Sequence, residues 1–401
     1  MKLHLGDLFW EETRTDADYL ELNEDISTDI LVIGGGMSGA AVSHKLTEAG
    51  FDVVVVDKGV PGYGSSDGNT GIIQYNSDKS LYEMINDFGE KHAVDFYKLS
   101  ILGMEELENV AKLLPDEVGY KSTESLFLAS EKKSLKELEK NFTTLRKYGF
   151  PAEYIFQDTL ADEYDLNAYG AIKTSMDAEL NPFKMVQALH RDNLKKDTKV
   201  FKNTEVLNVE ELKDEFIAHT STGLKITSKK LVIATGYAEK MYPKIEKGME
   251  RNTTFSFVTE VLDDEPWGNG EMIWDNEDPY VYFRLTEDGR IIAGGRDRSG
   301  KELSDEKKIQ RETDKIYKKM KSYYPKLKAK IEYRWQSVFG ESKDGLPFIG
   351  QDKKNKNKYY VLGYGGNGTC YSFIASILIL HYIMEKEHEY AYTTRYPREN
   401  K

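Results

Sequence analysis

Asp29-Ile30-Leu31-Val32-Ile33-Gly34-Gly35-Gly36-Met37-Ser38-Gly39, answered further on by Val53-Val54-Val55-Val56-Asp57, is the stretch that decides the fold of this chain. The first run is short, β-branched and ended by glycine, which is the pattern of a buried strand. A helix is expected from Met37 to about Ala49, with Gly50 placed as its C-terminal stop. The second run is apolar without alternation, as in a parallel sheet covered on both faces. Strand, helix and strand in this order make a βαβ unit. The spacing Gly34-x-Gly36-x-x-Gly39 has a physical meaning here. The first glycine allows a tight turn, the second lets backbone approach a pyrophosphate, and the third lets helix and strand pack closely. A phosphate would then meet the free N–H groups and positive dipole end of the helix. Asp57 lies where a carboxylate accepts hydrogen bonds from a ribose diol and disfavours a 2′-phosphate.

Outward from this unit, three further glycine-rich bends stand beside strand or helix ends. Gly64-Ser65-Ser66-Asp67-Gly68-Asn69-Thr70-Gly71 is a loop of small and hydroxyl side chains where a simple NAD domain would run into another helix. Leu231-Val232-Ile233-Ala234-Thr235-Gly236 is an apolar strand ended by glycine. Gly363-Tyr364-Gly365-Gly366-Asn367-Gly368-Thr369 precedes a helix, so a second helix start opens on glycine. Such a terminus suits the negative charge of a reduced flavin. Amphipathic helices are expected at Leu81–Leu114, Ser134–Tyr148 and Pro182–Lys195, with a basic helix ending near Tyr324-Pro325. Strands are expected between Lys199 and Thr235 and between Phe255 and Gly295.

The chain has 401 residues, too many for one ordinary core, so two domains are expected. A net charge of −13 opposes unassisted binding to nucleic acid or anionic lipid. The local lysines at Lys353, Lys354, Lys356 and Lys358 read as a hairpin tip. One cysteine, Cys370, excludes an internal disulfide and a multi-thiolate metal site, and no metal is expected. The N-terminus lacks an apolar h-region, and the longest apolar run, Phe373 to Met384, is too short to span a bilayer. A cytoplasmic location is the expectation.

With these segments in view, the chain resembles the D-amino-acid-oxidase superfamily of FAD enzymes, which includes glycine and sarcosine oxidases. The likeness rests on the turn at 34–39, the loop at 64–75, the strand end at 231–237, the segments at 282–295 and 335–350, and the bend at 363–369. The last two are most similar to the γ-glutamylputrescine oxidase branch. The resemblance implies an α/β architecture: a Rossmann-type FAD domain interleaved with an α+β substrate domain built on a mixed sheet. On this reading the FAD domain takes 26–80, 166–240 and 336–401, the substrate domain 81–165 and 241–335, and residues 1–25 form a lead-in.

The resemblance also implies noncovalent FAD, because Ser337 stands where some relatives tether the flavin through cysteine. The implied cofactor residues are Gly34, Gly36, Met37, Ser38, Gly39, Asp57, Lys58, Ser65, Ser66, Asn69, Thr70, Gly71, Val206, Ala234, Thr235, Gly236, Gly340, Gly365, Gly366, Asn367, Gly368 and Thr369. The implied reaction is hydride transfer from a carbon bearing nitrogen to flavin N5, giving an imine that hydrolyses. Such chemistry needs position, a dry pocket and a stabilised flavin anion rather than a catalytic triad. His44 is read as incidental.

The departures from the family bear on the substrate. Gln74, Cys370 and Phe339 occupy positions where relatives carry a carboxylate-binding cation. A bidentate arginine is the natural partner of a carboxylate, so an amine or a blocked amino acid is favoured over a free amino acid. Arg296, or else Arg284, remains a candidate for the same space, with a surface ion pair the alternative for Arg296. Phe257, Tyr282, Phe339 and Tyr364 are candidates for the pocket wall. Ile292 matches a lysine that promotes reaction with oxygen, which leaves the acceptor open between O2 and another oxidant. The alternatives are an FAD dehydrogenase of a 2-hydroxy acid or polyol phosphate, a non-catalytic flavin-binding protein, and an NAD-binding Rossmann enzyme.

Overall fold

In a computed structural model of the chain, residues 2–236, 249–263, 267–300 and 302–395 are described. Strand β1 is His4–Gly6, β2 Ile26–Ile33, β3 Val53–Val56, β4 Ile72–Ile73, β5 Lys121–Leu128, β6 Ala152–Phe156 and β7 Gly170–Glu179. Then come β8 Lys199–Phe201, β9 Val206–Glu211, β10 Phe216–Thr220, β11 Lys225–Ile233, β12 Met249–Thr259, β13 Met272–Asp275 and β14 Val281–Leu285. The last are β15 Ile291–Ser299, β16 Ile331–Ser342, β17 Phe348–Gln351 and β18 Lys358–Leu362. The helices are α1 Met37–Glu48, α2 Leu81–Phe88, α3 Glu90–Leu113, α4 Leu135–Lys147, α5 Gln157–Tyr164, α6 Pro182–Lys195, α7 Glu306–Tyr323 and α8 Gly368–Ile383.

Two sheets divide these strands. The smaller has a parallel core in the order β18-β11-β2-β3-β8, with β17 antiparallel at one edge and β9 and β10 off β11. Ile30 to Ile33 and Val53 to Val56 are at most 5% exposed, as apolar runs covered on both faces should be. Helix α1 carries small residues, Gly39, Ala40, Ala41 and Ser43, and packs closely on α8. Helix α8 is apolar all round and buried, the pattern of a central helix. Among the described residues, no helix is long and apolar enough to cross a membrane.

The larger sheet runs β1-β16-β12-β15-β14-β13-β5-β7-β4, with β6 on β7. Alternation along β12 gives its two faces different jobs. Phe255 and Phe257 point into a core with Phe283, Ile291 and the Ile309, Ile316, Met320 stripe of α7. Val258, on the other face, packs with Ile292, Trp335 and Phe183. Thr254 and Ser256 share that second face, which looks toward the loop at 64–71.

Several boundaries differ from the sequence reading. Gly89 adopts φ 88° and splits the expected helix at 81–114 into α2 and α3. Strand β7, assigned by sequence with the cofactor domain, pairs with β5, β6 and β4 in the larger sheet. Strand β16 also belongs there, alongside β12, although 336–342 read as cofactor domain. Even the lead-in contributes, since His4 to Gly6 pair with β16. These strands are decided by long-range pairing, which local pattern does not carry. The lysines around 353–358 do sit at the connection between β17 and β18.

The tightest contact in the fold lies inside the first glycine turn. A Cβ on Gly39 would stand 1.7 Å from the Gly34 carbonyl oxygen. Gly39→Ala should therefore lower stability by roughly 2 kcal/mol or more, from forced backbone displacement. Urea unfolding of the cofactor-stripped protein measures it, and an unchanged midpoint would contradict this packing.

Candidate cofactor and substrate site

Strand β2 delivers the chain into a turn that only glycine can make. Gly34 has φ 107°, and a Cβ there would meet the Ala234 carbonyl oxygen at 2.3 Å. The neighbouring β11 is thereby held against the turn, bringing Ala234, Thr235 and Gly236 to the same sheet end. Asp57, at the end of β3, accepts from the Gly35 N–H at 2.8 Å and the Gly59 N–H at 2.9 Å. The carboxylate that sequence assigned to a ribose thus also braces the turn. Lys58 beside it is exposed. Beneath the turn, fully buried His190 meets the Gly35 carbonyl at 3.0 Å. Burial lowers its imidazole to about 4, so it stays neutral and donates through Nε2.

Gly36 differs from its neighbours. It starts α1 with φ −75°, and a Cβ there would meet only Ser66 Oγ at 3.5 Å. Open space lies over this backbone, and no side chain of the N-cap residue covers the helix start. Ser66 Oγ accepts from the Met37 N–H at 3.1 Å. Ser38, in the first turn of α1, meets Ser372 of α8 at 3.0 Å. Two helix starts are therefore side by side, their positive dipole ends converging on one region. Thr235 Oγ1 is buried there and has no hydrogen-bond partner among the described residues. Open backbone, two helix starts and an unpartnered hydroxyl fit a diphosphate such as that of FAD.

The loop at 64–71 is bonded on every side. Asn69 Nδ2 reaches Thr369 at 3.4 Å, and its Oδ1 accepts from the Gly71 N–H at 2.7 Å. Trp335 Nε1 donates to the Gly68 carbonyl at 3.1 Å, with Ser337 packed against Gly68. Ser337 offers no thiol for a covalent flavin bond. Arg284 is consumed here: Nε and Nη2 donate to the Thr70 carbonyl at 3.0 and 2.8 Å, and Nη1 to that of Leu285 at 2.7 Å. Ser65 lies on this loop, half-buried. Gly366 and Asn367 open α8, the first donating its N–H to Asp78 at 3.3 Å and the second its amide to the Asn76 carbonyl at 2.6 Å. Val206 instead packs in a core with Phe201 and Phe216, and Gly340 lies in β16 opposite Arg251.

The substrate candidates separate by strand parity. Phe339 pairs with Asn252 in register, on the face that looks toward the loop. Tyr282 lies beside Thr70, Thr254 and Ser256. Phe257 is corrected: it is fully buried on the opposite face, 6.0 Å from the Tyr317 ring. Tyr364 is 7% exposed and packs in the core around α8. Cys370 directs its thiol to the Ser100 carbonyl of α3 at 3.6 Å. Gln74 donates to Ser125 at 2.9 Å, at the edge of a buried network centred on Asp177. Ile292 is in an apolar cluster. His44 is bonded to Asp192 at 3.0 Å.

Arg296 is decided by a bulge. The register between β12 and β15 shifts between Thr253 and Phe255, and Gly295 and Arg296 take φ 127° and 57°. Arg296 is thereby turned to Glu312 of α7, at 3.0 Å. Glu312 is fully buried and also meets Arg298 at 3.0 Å and Lys315 at 3.0 Å. Burial pushes its carboxyl up, but Lys315, Arg296 and Arg298 outweigh that and hold it at about 2.

The same bulge sends Asp297 the other way, a residue the sequence reading missed. Tyr280 donates to Asp297 Oδ2 at 2.7 Å. Burial raises Asp297 to about 6, with Thr254 and Tyr280 opposing and Asp78 adding. Burial likewise raises Glu341 to about 7, reinforced by Asp78, Asp297 and Glu250 against Lys79. Asn252 donates to Glu341 at 3.0 Å. Asp78 is reachable by solvent yet closely ringed by protein, and burial raises its carboxyl too. No glycine motif or local period signals this acidic wall.

With the geometry established, the chain can be set beside known proteins. The model of the DAO family, FAD dependent oxidoreductases, matches residues 29–380. The gamma-glutamylputrescine oxidoreductase of Escherichia coli is 25% identical, over 94% of this chain and 89% of its own length. The glycine oxidase of Bacillus subtilis is 21% identical, over 90% of this chain and 94% of its own. The crystal structure of glycine oxidase from Geobacillus kaustophilus superposes with a TM-score of 0.79 at 18% identity, covering 90% of this chain and 96% of that one.

Two predictions follow from the site. Gly36 has an ordinary backbone conformation and free space, so Gly36→Val should fold normally and purify without flavin; full yellow colour in that variant would move the diphosphate elsewhere. The raised carboxyls set a pH dependence with a definite sign. Asp297 and Glu341 favour their protonated forms in the fold, so their contribution to stability is present at low pH and lost as pH rises through about 6 to 7. Glu341→Gln should therefore gain stability relative to the parent on going from about pH 5 to about pH 8. Thermal unfolding at saturating FAD tests this, and parallel curves would remove Glu341 from a buried acidic wall.

Proposed function

The chain belongs to the DAO family of FAD-dependent oxidoreductases, and from that membership we propose that it oxidises a C–N bond of an amine or amino-acid derivative. Bound FAD supplies an acceptor for the hydride leaving the carbon that bears nitrogen, and the resulting imine hydrolyses in water. The chain's residues have the tasks of holding the cofactor, positioning the amine and excluding water. The Gly36 backbone and the two helix starts hold the diphosphate, and the face of β12 and β16 bearing Thr254, Asn252 and Phe339 forms the roof.

The observation that carries the choice of substrate is where the arginines go. Arg296 is bound to Glu312 and Arg284 to backbone carbonyls. Gln74, Phe339 and Cys370 supply no positive charge. Among these residues an amino-acid or hydroxy-acid carboxylate would find no bidentate partner and would face Asp78, Asp297 and Glu341 instead. A free amine meets no such penalty.

Anaerobic mixing of the holoenzyme with a panel of primary and secondary amines should bleach the flavin, whereas free amino acids and 2-hydroxy acids should not. Bleaching by 2-hydroxy acids alone would overturn this reading. Repeating the mixing in air and with a dye acceptor separates oxidase from dehydrogenase.

A further inference from the structure

The acidic wall has a property that C–N oxidation does not itself require. Three carboxylates from three separate segments gather at one end of the site: Asp78 after β4, Asp297 in the β15 bulge and Glu341 near the end of β16. A Cβ on Gly365 would lie 3.4 Å from Asp78 Oδ2 and 3.7 Å from Glu341 Oε1, so both flank the bend that opens α8. Glu341 is bridged to Tyr364 of the same bend. Asp297 is near enough to both carboxylates to feel their charge.

Like charges held this close in a partly dehydrated wall repel one another and raise one another's carboxyls, and a positive group placed among them would remove that repulsion. Among the described residues, three cations near this wall have other partners. Lys79 is the cation facing Glu341, and it is bonded to Asp87 at 2.6 Å. Arg296 and Arg298 are drawn off by Glu312 on the far side of the sheet. An independent feature points the same way. Asp297 Oδ1 is buried and has no well-formed hydrogen bond among the described residues: Oδ2 is satisfied by Tyr280, while the Thr254 hydroxyl nearby is directed to the Gly295 carbonyl. A buried carboxylate oxygen without a donor is a costly arrangement unless a ligand supplies the donor.

We propose that Asp78, Asp297 and Glu341 bind a second positive charge on the substrate, so that the amine oxidised is one end of a diamine or polyamine. The claim rests on the amine-oxidation reading above and extends it from the reacting nitrogen to the far end of the molecule. An ammonium group offers several donors to a ring of acceptors, which suits three carboxylates converging from different strands. The charge at the far end also orients the chain, so that one terminal carbon rather than an internal one is presented for oxidation.

The test uses probes that share one reacting end and differ at the other: diaminobutane, aminobutanol and aminobutyrate. With the holoenzyme under anaerobic conditions, the second-order rate of flavin bleaching should fall in that order, by at least about tenfold from diaminobutane to aminobutanol. Titration of the dithionite-reduced holoenzyme, which cannot accept a hydride, should show the same order in affinity. Asp297→Asn and Glu341→Gln relieve repulsion and so should keep the fold. Each should shrink the ratio of diaminobutane to aminobutanol, in rate and in affinity alike. Equal rates and affinities for these two probes overturn the proposal, as do variants that lower both by the same factor. If no amine bleaches the flavin, the reaction class falls, and the titration still decides whether a second charge is recognised.

Discussion

The rest of this structure depends on one close approach: the Gly34 carbonyl lies where a side chain of Gly39 would have to be. Because neither residue has a Cβ, α1 can begin directly over the end of β2, with only Ser66 Oγ set against its first N–H. The same economy lets α8 come alongside, so that Ser38 and Ser372 touch. Two helix starts then add their fields where one would be half as effective. A methyl group at Gly39 would disturb that arrangement, whereas one at Gly36 would disturb only what lies on top of it. The distinction separates glycines that build the site from the glycine that faces the ligand.

In the larger sheet the governing effect is electrostatic, and it works by sorting charge across the sheet. Glu312 is fully buried under the larger sheet and gathers Arg296, Arg298 and Lys315. That leaves Asp297, one residue along, to point to the opposite side with Asp78 and Glu341. Adjacent residues of a regular strand already face opposite ways, but the bulge at Gly295 and Arg296 decides which of them faces Glu312 and which faces Tyr280. A single extra residue in β15 therefore exchanges a cationic sheet face for an acidic one.

This is also where reading from sequence reaches its limit. The βαβ unit is legible because its information is local: apolar runs, a glycine spacing and an acid at the end of the second strand. The bends at 64–71, 234–236 and 363–369 are legible for the same reason, and the structure brings them together. Phe257 and Phe339 look alike as candidates, and only pairing shows that they lie on opposite faces. Arg296 is even harder, because its positive φ is a property of the bulge and non-glycine residues seldom announce it. Asp297 and Glu341 leave no local signal, since their meaning comes from neighbours distant in the chain. Strands β5 and β7 escape notice because their polar residues blur the alternation, and non-local pairing has to supply what the pattern lacks.

The loop at 64–71 connects these two physical regimes. Its Asn69 is bonded to the first turn of α8, and Trp10 of the N-terminal segment donates to the Asn69 carbonyl at 2.7 Å. Gly68 takes a hydrogen bond from Trp335 of the larger sheet, and Thr70 takes two from Arg284. A segment bonded to the start of α8 on one side and to the larger sheet on the other fixes the distance between them. Arg284 is thus withheld from the substrate for a reason: its guanidinium satisfies carbonyls that a tight loop cannot satisfy itself. Buried in this way, the arginine ties the loop at 64–71 to the larger sheet. The electrostatics of the pocket are left to the carboxylates.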